Sequence, residues 1–189
     1  MADQQYGSTA APTEQEQVQL PPVLHEKKKK RIMVGLDESD ESLYALKWTI
    51  ENLFNYVQNE VESEEIGVVT LVNVVQPFQH MVFPAGPAVY ATTTVIDSVR
   101  KAQQQNSAML LDRALEICKG KNIKAESVIL EGDPKDMICQ AAEQIQPDMV
   151  VVGSRGLSKL KRAFLGSVSD YCAHHVKCPI LIVKPPKAT

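Results

Sequence analysis

The feature that most constrains the fold is a regular alternation between short apolar runs and segments with apolar residues at helical spacing. The run RIMVGL at 31–36 precedes a segment in which Leu43, Leu46, Ile50 and Phe54 recur at helical spacing behind Ser and Asp cap candidates. Short apolar runs that alternate with amphipathic helices are typical of a parallel sheet covered by helices. The sequence therefore predicts an α/β protein.

The same alternation continues to the end of the chain. IGVVTLVNVV at 66–75 is rich in β-branched residues, as expected of a strand covered on both faces. A long helix is predicted over 93–119, with Val95, Val99 and Met109 among its apolar positions. A third strand is predicted within IKAESVILEG at 123–132.

Local signals also define the remaining elements. Asp133 and Pro134 predict a helix start, because Asp is a preferred cap and Pro is favoured at the first helical position. PDMVVVG at 147–153 is the fourth predicted strand, and another helix begins near Ser167. The fifth strand begins at Pro179 and ends at Lys184.

This order predicts a doubly wound, five-stranded parallel sheet with four helices distributed over both faces. With the common strand order 3-2-1-4-5, the winding direction reverses between the first and fourth strands, and ligands of such sheets bind beyond the carboxyl ends of the strands at that point. Asp37 and Gly153 leave those two strands. A ligand site is therefore expected between them.

The chain divides into one predicted domain and two tails. Residues 1–30 lack apolar periodicity and are interpreted as a disordered tail, residues 31–186 as the domain, and residues 187–189 as a short C-terminal tail. With 189 residues and 44% hydrophobic side chains, the chain can build one domain core. The basic cluster at 27–31 is interpreted as a solvated charge run, with a nuclear import signal or a membrane-surface patch as alternatives.

Composition excludes several classes of function. A net charge of −3 argues against a nucleic-acid-binding protein, and no apolar run is long enough to span a bilayer. The four cysteines show no zinc spacing and indicate reduced thiols, which favours a cytoplasmic location with the nucleus as an alternative. His174, His175 and Cys178 have no evident fourth ligand, so a structural role is favoured over a metal site.

The stretch after the fourth strand is rich in glycine, hydroxyl groups and cations. Gly153 and Gly156 allow the backbone to approach a ligand closely, and Gly166 and Ser167 begin a helix whose free N–H groups favour an anion. Ser167 and Ser169 can each donate a hydroxyl group to a phosphate. The cations available for more distal phosphates are Arg155, Lys159, Lys161 and Arg162.

The opposite end of this predicted site suits the nucleoside part of a nucleotide. Asp37 would repel phosphates, so it is better placed on a ribose hydroxyl or an exocyclic amine, and Val74 would form a wall against the base. Two structural explanations stay open: the glycines form only a turn, or the S-x-x-D pattern from Ser167 to Asp170 only caps a helix. Neither the P-loop nor the G-x-G-x-x-G motif is present.

These residues carry a resemblance to a known family. The pattern Gly153-x2-Gly156-x9-Gly166-Ser167 matches the G-2x-G-9x-G-[S/T] signature of the nucleotide-binding branch of the universal stress protein family. RIMVGLDES, LVNVV, EGDP and PDMVVVGSRG also resemble that family, so that the likeness covers about residues 31–186. The segment at 76–95 and the N-terminal tail resemble those of plant members.

The resemblance implies a Rossmann-like fold of the adenine nucleotide alpha hydrolase type, with ATP or AMP as ligand and Mg²⁺ or Mn²⁺ bridging the phosphates. It also assigns each part of the nucleotide to a group of residues. The adenosine end is assigned to Gly35, Leu36, Asp37 and Val74, the ribose and phosphates to Val152, Gly153, Arg155 and Gly156, and the phosphate cradle to Gly166, Ser167, Val168 and Ser169.

Three functions follow from this resemblance. We expect a nucleotide-dependent regulator of the stress response, with a slow adenosine-nucleotide hydrolase and a chaperone-like interaction protein as alternatives. No residue stands out to position a water for hydrolysis, so binding with slow or no turnover is expected. The resemblance also implies a homodimer through the last strand, from Pro179 to Lys184, and protein clients that the sequence does not identify.

Overall fold

The computed structural model describes residues 29–54, 67–77, 93–156 and 165–186. The strands are β1 Lys30–Leu36, β2 Gly67–Val75, β3 Lys124–Glu131, β4 Met149–Gly153 and β5 Ile180–Val183. The helices are α1 Asp40–Thr49, continued by a π-helical turn over Ile50–Phe54, α2 Thr93–Lys119, α3 Pro134–Ile145 and α4 Ser167–His175.

The five strands form one parallel sheet in the order β3-β2-β1-β4-β5, which confirms the predicted fold. In the centre, Val34 of β1 is in register with Leu71 of β2 on one side and with Val151 of β4 on the other. The chain therefore reverses its winding direction between β1 and β4. Both strands end at the same edge of the sheet, where a crevice opens.

Helices cover both faces of the sheet. Helices α1 and α2 pack on one face, where their apolar residues join β-strand residues such as Val34 and Leu71 in one hydrophobic cluster. Helices α3 and α4 pack on the other face against Met33, Val72 and Val150. The central strands are consequently buried on both sides, as expected for a parallel sheet.

Helix α1 begins at a serine cap. The Ser39 hydroxyl accepts a hydrogen bond from the Ser42 amide at 3.2 Å, which satisfies one of the free N–H groups of the first turn. The predicted apolar face, which includes Leu43 and Ile50, is buried in the core. The periodicity is therefore confirmed, although the last turn widens to a π-helix.

Helix α2 has the predicted bounds but not the burial that its apolar residues suggested. Val95 and Met109 are 50% and 64% exposed, whereas Leu110, Ala114 and Cys118 are buried. The second half of this 27-residue helix supplies the buried apolar residues. Apolar spacing cannot show how far a helix extends beyond the layer on which it packs.

The turn between β3 and α3 follows from its sequence. Gly132 has a φ of +150°, a conformation that side chains with a Cβ rarely adopt. The Asp133 carboxylate then accepts a hydrogen bond from the Lys135 amide at 3.1 Å, and Pro134 occupies the first turn. The predicted start of α3 is confirmed.

The predicted division into a domain and two tails stays a prediction. Strand β1 begins at Lys30, one residue before the expected boundary, while residues 1–28 and 187–189 lie outside the described residues. None of the helices in the described ranges is long and apolar enough to cross a bilayer.

Candidate functional site

A cavity of about 410 Å³ opens at the edge of the sheet where β1 and β4 end. Its wall contains the twelve residues that the resemblance assigned to the parts of a nucleotide. These residues are Gly35, Leu36, Asp37, Val74, Val152, Gly153, Arg155, Gly156, Gly166, Ser167, Val168 and Ser169. The topology thus brings together segments that are far apart in the sequence.

Asp37 is held in place by the first turn of α1. Its Oδ1 accepts hydrogen bonds from the Ser39 amide at 3.0 Å and from the Ser39 hydroxyl. The Ser42 hydroxyl donates to the Asp37 carbonyl at 2.7 Å and accepts from the Asp37 amide. Among the described residues, none donates a hydrogen bond to Oδ2.

Two glycines of the predicted site make room for the protein itself rather than only for a ligand. A Cβ on Gly156 would collide with Oδ2 of Asp37. A Cβ on Gly153 would lie 3.0 Å from the carbonyl carbon of Glu41 and 3.1 Å from the amide nitrogen of Ser42. The glycines therefore allow Asp37 and the start of α1 to pack against the end of β4, which shapes the cavity.

Helix α4 presents its N-terminus to the cavity. Gly166 is the capping residue and offers no side-chain hydrogen bond, while its amide donates to the Ser154 carbonyl at 2.8 Å. Ser167 is already the first helical residue, so the S-x-x-D capping alternative for Ser167 and Asp170 is wrong. The first N–H groups of α4 therefore lack a side-chain cap and, with the helix dipole, favour an anion.

Ser167 and Ser169, which were both expected to donate a hydroxyl group to a phosphate, lie in different environments. The Ser169 hydroxyl lies within hydrogen-bond distance of the Ser154 carbonyl at 3.2 Å and of the Gly166 carbonyl at 3.0 Å, and the residue is only 2% exposed. The Ser169 hydroxyl is thus engaged by two backbone carbonyls, and its donation to a phosphate stays a prediction. Ser167 is exposed at the cavity and keeps its hydroxyl free of described partners.

The structure adds cavity residues that the sequence did not reveal. Pro134 and Ile138 of α3 form an apolar wall beside Val74, and Gln103 and Ser107 of α2 add polar groups. The remaining additions are Glu38, Ser42, Asn73, Val75 and Gln76. Pro134 follows the end of β3, so the rule that ligands bind beyond the carboxyl ends of the strands could have suggested it. Gln103 and Ser107 could not be recognised, because polar residues on a helix usually face solvent.

Asn73 provides a buried polar group beside the cavity. Its Nδ2 donates to the Leu36 carbonyl at 2.9 Å, and the residue is only 6% exposed. Its Oδ1 is the one buried side-chain oxygen or nitrogen in the described ranges that has no hydrogen-bond partner. A buried acceptor without a donor is unfavourable, so a water or a ligand near this wall would stabilise it.

The other candidate groups lie outside the cavity wall or outside the described residues. Lys159, Lys161 and Arg162 lie outside the described residues. His175 stacks on Tyr171 with ring centroids 3.8 Å apart, which gives this histidine a structural contact. Within the part of the chain that the structure describes, no group of three His, Cys, Asp or Glu residues is placed to hold a metal ion.

Fold and cavity together define a Rossmann-like α/β protein in which a helix N-terminus without a side-chain cap faces a cavity at the topological switch point. The chain belongs to the universal stress protein family, whose family model matches residues 29–184. This match confirms the resemblance that the glycine signature indicated.

Individual relatives agree with this assignment. The chain is 31% identical over 140 residues to the universal stress protein A-like protein of Arabidopsis thaliana, which covers 74% of this chain and 76% of that protein. Among solved structures, a universal stress protein family protein from Arabidopsis thaliana with AMP bound has a TM-score of 0.57 at 25% identity, covering 83% of this chain and 92% of the other. The UspA protein of Lactobacillus plantarum shares the fold, with a TM-score of 0.61 at 19% identity over 82% and 98% of the two chains.

Proposed function

We propose that this chain binds an adenine nucleotide in the cavity at the ends of β1 and β4. The observation that carries the proposal is the convergence of the Asp37 carboxylate and the uncapped N-terminus of α4 on one cavity. The first offers acceptors for a nucleoside and the second offers donors for a phosphate. The related Arabidopsis structure with AMP bound supports adenine nucleotides as the ligand class.

The proposed ligand runs across the cavity from α1 to α4. Asp37 Oδ2 accepts a hydrogen bond from a ribose hydroxyl or an amine, while Val74 and Ile138 supply apolar contacts for the base. The phosphate binds to the N–H groups after Gly166 and to the Ser167 hydroxyl. The other assigned residues, Gly35, Leu36, Val152, Gly153, Arg155, Gly156, Val168 and Ser169, shape the wall around the ligand.

The described part of the cavity does not require the ligand to be ATP rather than AMP. A triphosphate would extend beyond the α4 turn, where charge from the segment between Gly156 and Gly166 is needed. A Mg²⁺ or Mn²⁺ ion would then be held mainly by phosphate oxygens, as is usual for Mg²⁺ in nucleotide sites. AMP needs neither the distal cations nor the metal ion.

The regulatory role rests on the same ligand. In this proposal the nucleotide contacts Asp37 on one side of the cavity and the α4 N-terminus on the other. A protein client then recognises the surface of the nucleotide-bound protein. A slow adenosine-nucleotide hydrolase and a chaperone-like protein with incidental nucleotide binding remain the alternative functions. Product formation distinguishes the first, and stress protection without nucleotide binding distinguishes the second.

The proposal includes a homodimer in the cytoplasm. Strand β5 lies at one edge of the sheet, and pairing with its copy would cover an apolar edge that otherwise favours aggregation. The cytoplasmic location is proposed from the cysteine pattern, because cysteines without disulfide pairs are typical of a reducing compartment.

Calorimetric titration of the full chain with AMP, ADP and ATP plus magnesium tests the proposed function. Wild-type protein is expected to bind AMP saturably with one site per chain, and Gly166→Val is expected to abolish binding, because its side chain enters the α4 cradle near Arg155 and Ser169. Gly120→Val, at the far end of α2, is the matched control and is expected to bind normally.

Product analysis after overnight incubation completes this experiment. Unchanged ATP supports a binding protein, and steady release of ADP or AMP favours the hydrolase. Absence of binding by folded wild-type protein would contradict the proposed function.

A further inference from the structure

Two cysteines face each other between α3 and α4. The Sγ atom of Cys139 lies 3.9 Å from the Sγ atom of Cys172, in a hydrophobic cluster shared by the two helices. A disulfide bond is about 2.05 Å long, so the sulfur atoms need to approach by about 2 Å. Side-chain rotation and small helix shifts can supply a movement of this size.

The pair is distinct from the other two thiols. Cys118 is buried on the opposite face of the sheet, in the cluster formed by α1 and α2. Cys178 packs at the edge of the same cluster as the pair, just before β5. Cys118 is therefore an internal control for nonspecific oxidation, and Cys178 is the competing partner that an experiment must exclude.

The two helices that carry the pair also form walls of the cavity. Cys139 directly follows Ile138, and Cys172 lies one turn after Ser169. A covalent bond between them would tie the apolar wall to the helix whose N-terminus faces the cavity.

We propose that Cys139 and Cys172 are an oxidation site that forms an intramolecular disulfide bond across α3 and α4 when the protein meets a peroxide. The peroxide first oxidises the Cys139 sulfur to a sulfenic acid, releasing one water from hydrogen peroxide. The Cys172 sulfur then attacks the Cys139 sulfur, and the hydroxyl leaves with a proton as a second water. Two thiols and one hydrogen peroxide thus give one disulfide and two waters.

The environment of the sulfur atoms sets the order of these steps. Cys139 is partly exposed, whereas Cys172 is fully buried. Burial raises the pKa of Cys172 to about 12, and burial is also the largest cause of the raised pKa of Cys139. Oxidation is therefore expected to begin at the accessible Cys139 and to be slow at neutral pH, because the thiolate is the reactive form.

Peptide mapping of the oxidised wild-type protein tests this site directly. Trypsin separates the four cysteines into four peptides, with Cys139 in residues 136–155 and Cys172 in residues 163–177. After hydrogen peroxide treatment and alkylation without reduction, we expect these two peptides as one cross-linked species, two hydrogens lighter than their sum. Cys118 is expected to remain alkylated as a single thiol.

Thermal unfolding provides a second readout. Because the bond closes a long loop, oxidised wild-type protein is expected to unfold about 5 °C or more above the reduced protein, and dithiothreitol should reverse the shift. Cys139→Ser should lose both the cross-link and the shift, while Cys178→Ser should keep both. Formation of the bond does not depend on nucleotide binding, so this experiment and the nucleotide titration can fail separately.

Either of two results would overturn the proposed site. One is folded wild-type protein in which the peptides of Cys139 and Cys172 stay separate after prolonged peroxide treatment. The other is a cross-link that joins Cys172 to Cys178 or involves Cys118.

Discussion

The contact between Gly156 and Asp37 shows how single residues define the cavity. The absence of a Cβ on Gly156 leaves space for Oδ2 of Asp37, and Ser39 holds the other carboxylate oxygen. One oxygen thus fixes the side chain, and the other is the acceptor that we propose for the ligand. The sequence identified both residues, but it explained the glycine only by ligand approach, since the contact joins residues 119 positions apart.

Replacing one carboxylate oxygen tests the role of Asp37. Asp37→Asn keeps the shape of the side chain and an acceptor for Ser39, but it places an amide donor where Oδ2 was. Loss of a hydrogen bond to a charged group costs about 1.5–3 kcal/mol, so AMP affinity should fall roughly tenfold to a hundredfold. Calorimetry measures the affinity, and equal affinity in a folded variant would exclude Asp37 from ligand binding.

The backbone conformation of Gly132 leads to a prediction about the stability of the fold. Its φ of +150° is unfavourable for alanine, and a Cβ there would lie 2.8 Å from Cγ of Met137. Gly132→Ala should therefore lower the free energy of unfolding by about 1–3 kcal/mol in urea denaturation. Gly120→Ala serves as the control, with an expected change below about 1 kcal/mol.

The start of helix α4 shows why a short sequence pattern can identify the wrong capping residue. The S-x-x-D pattern suggested a serine cap, but Gly166 caps the helix and both serines lie inside it. Tertiary contacts decide the difference, because Gly166 bonds to Ser154 and Ser169 lies within hydrogen-bond distance of the same carbonyl group. A capping pattern carries no information about such distant partners.

Substitutions of Ser169 and Ser167 are therefore expected to affect different properties, the first stability and the second AMP binding. Ser169→Ala removes hydrogen-bonding capacity at two carbonyl groups and should destabilise the protein by about 1–2 kcal/mol. Ser167→Ala removes an exposed hydroxyl and should leave stability within about 0.5 kcal/mol while weakening AMP binding several-fold. Denaturation and calorimetry on both variants check this, and the reverse pattern would contradict the assigned roles.

At the scale of the whole molecule, the alternation of strands and helices was sufficient to predict the sheet. The apolar runs and the helical segments between them predict parallel crossovers, and β3-β2-β1-β4-β5 is a common order for such sheets rather than one that the alternation itself determines. The contribution of α2 to the cavity did not follow. Gln103 and Ser107 reach it only because of where that helix packs.

The edge strand β5 leads to a prediction about assembly. The carbonyl of Pro179 accepts a hydrogen bond from Val150 of β4, and the carbonyl of Val183 accepts one from Ser154, directly after β4. Since alternate residues of a strand face the same neighbour, the backbone N–H and carbonyl groups of Ile182 face away from β4. Ile182→Pro removes the outward N–H without removing a bond to β4, and it should convert the proposed homodimer to a monomer.

Ile182→Ala is the matched control, since it loses the same side chain but keeps the N–H group. Light scattering after size-exclusion chromatography should show a dimer for wild type and Ile182→Ala and a monomer for Ile182→Pro. A monomeric wild-type protein at micromolar concentration would contradict the proposed dimer.

An NMR titration of ¹⁵N-labelled full-length protein with AMP tests directly whether the nucleotide binds at the ends of β1 and β4. Saturable shifts are expected for the amides of Leu36, Asp37, Gly153, Gly156 and Ser167, with the Gly120 amide unchanged. Absence of shifts at millimolar AMP, or shifts confined to residues away from the ends of β1 and β4, would contradict the proposed binding site.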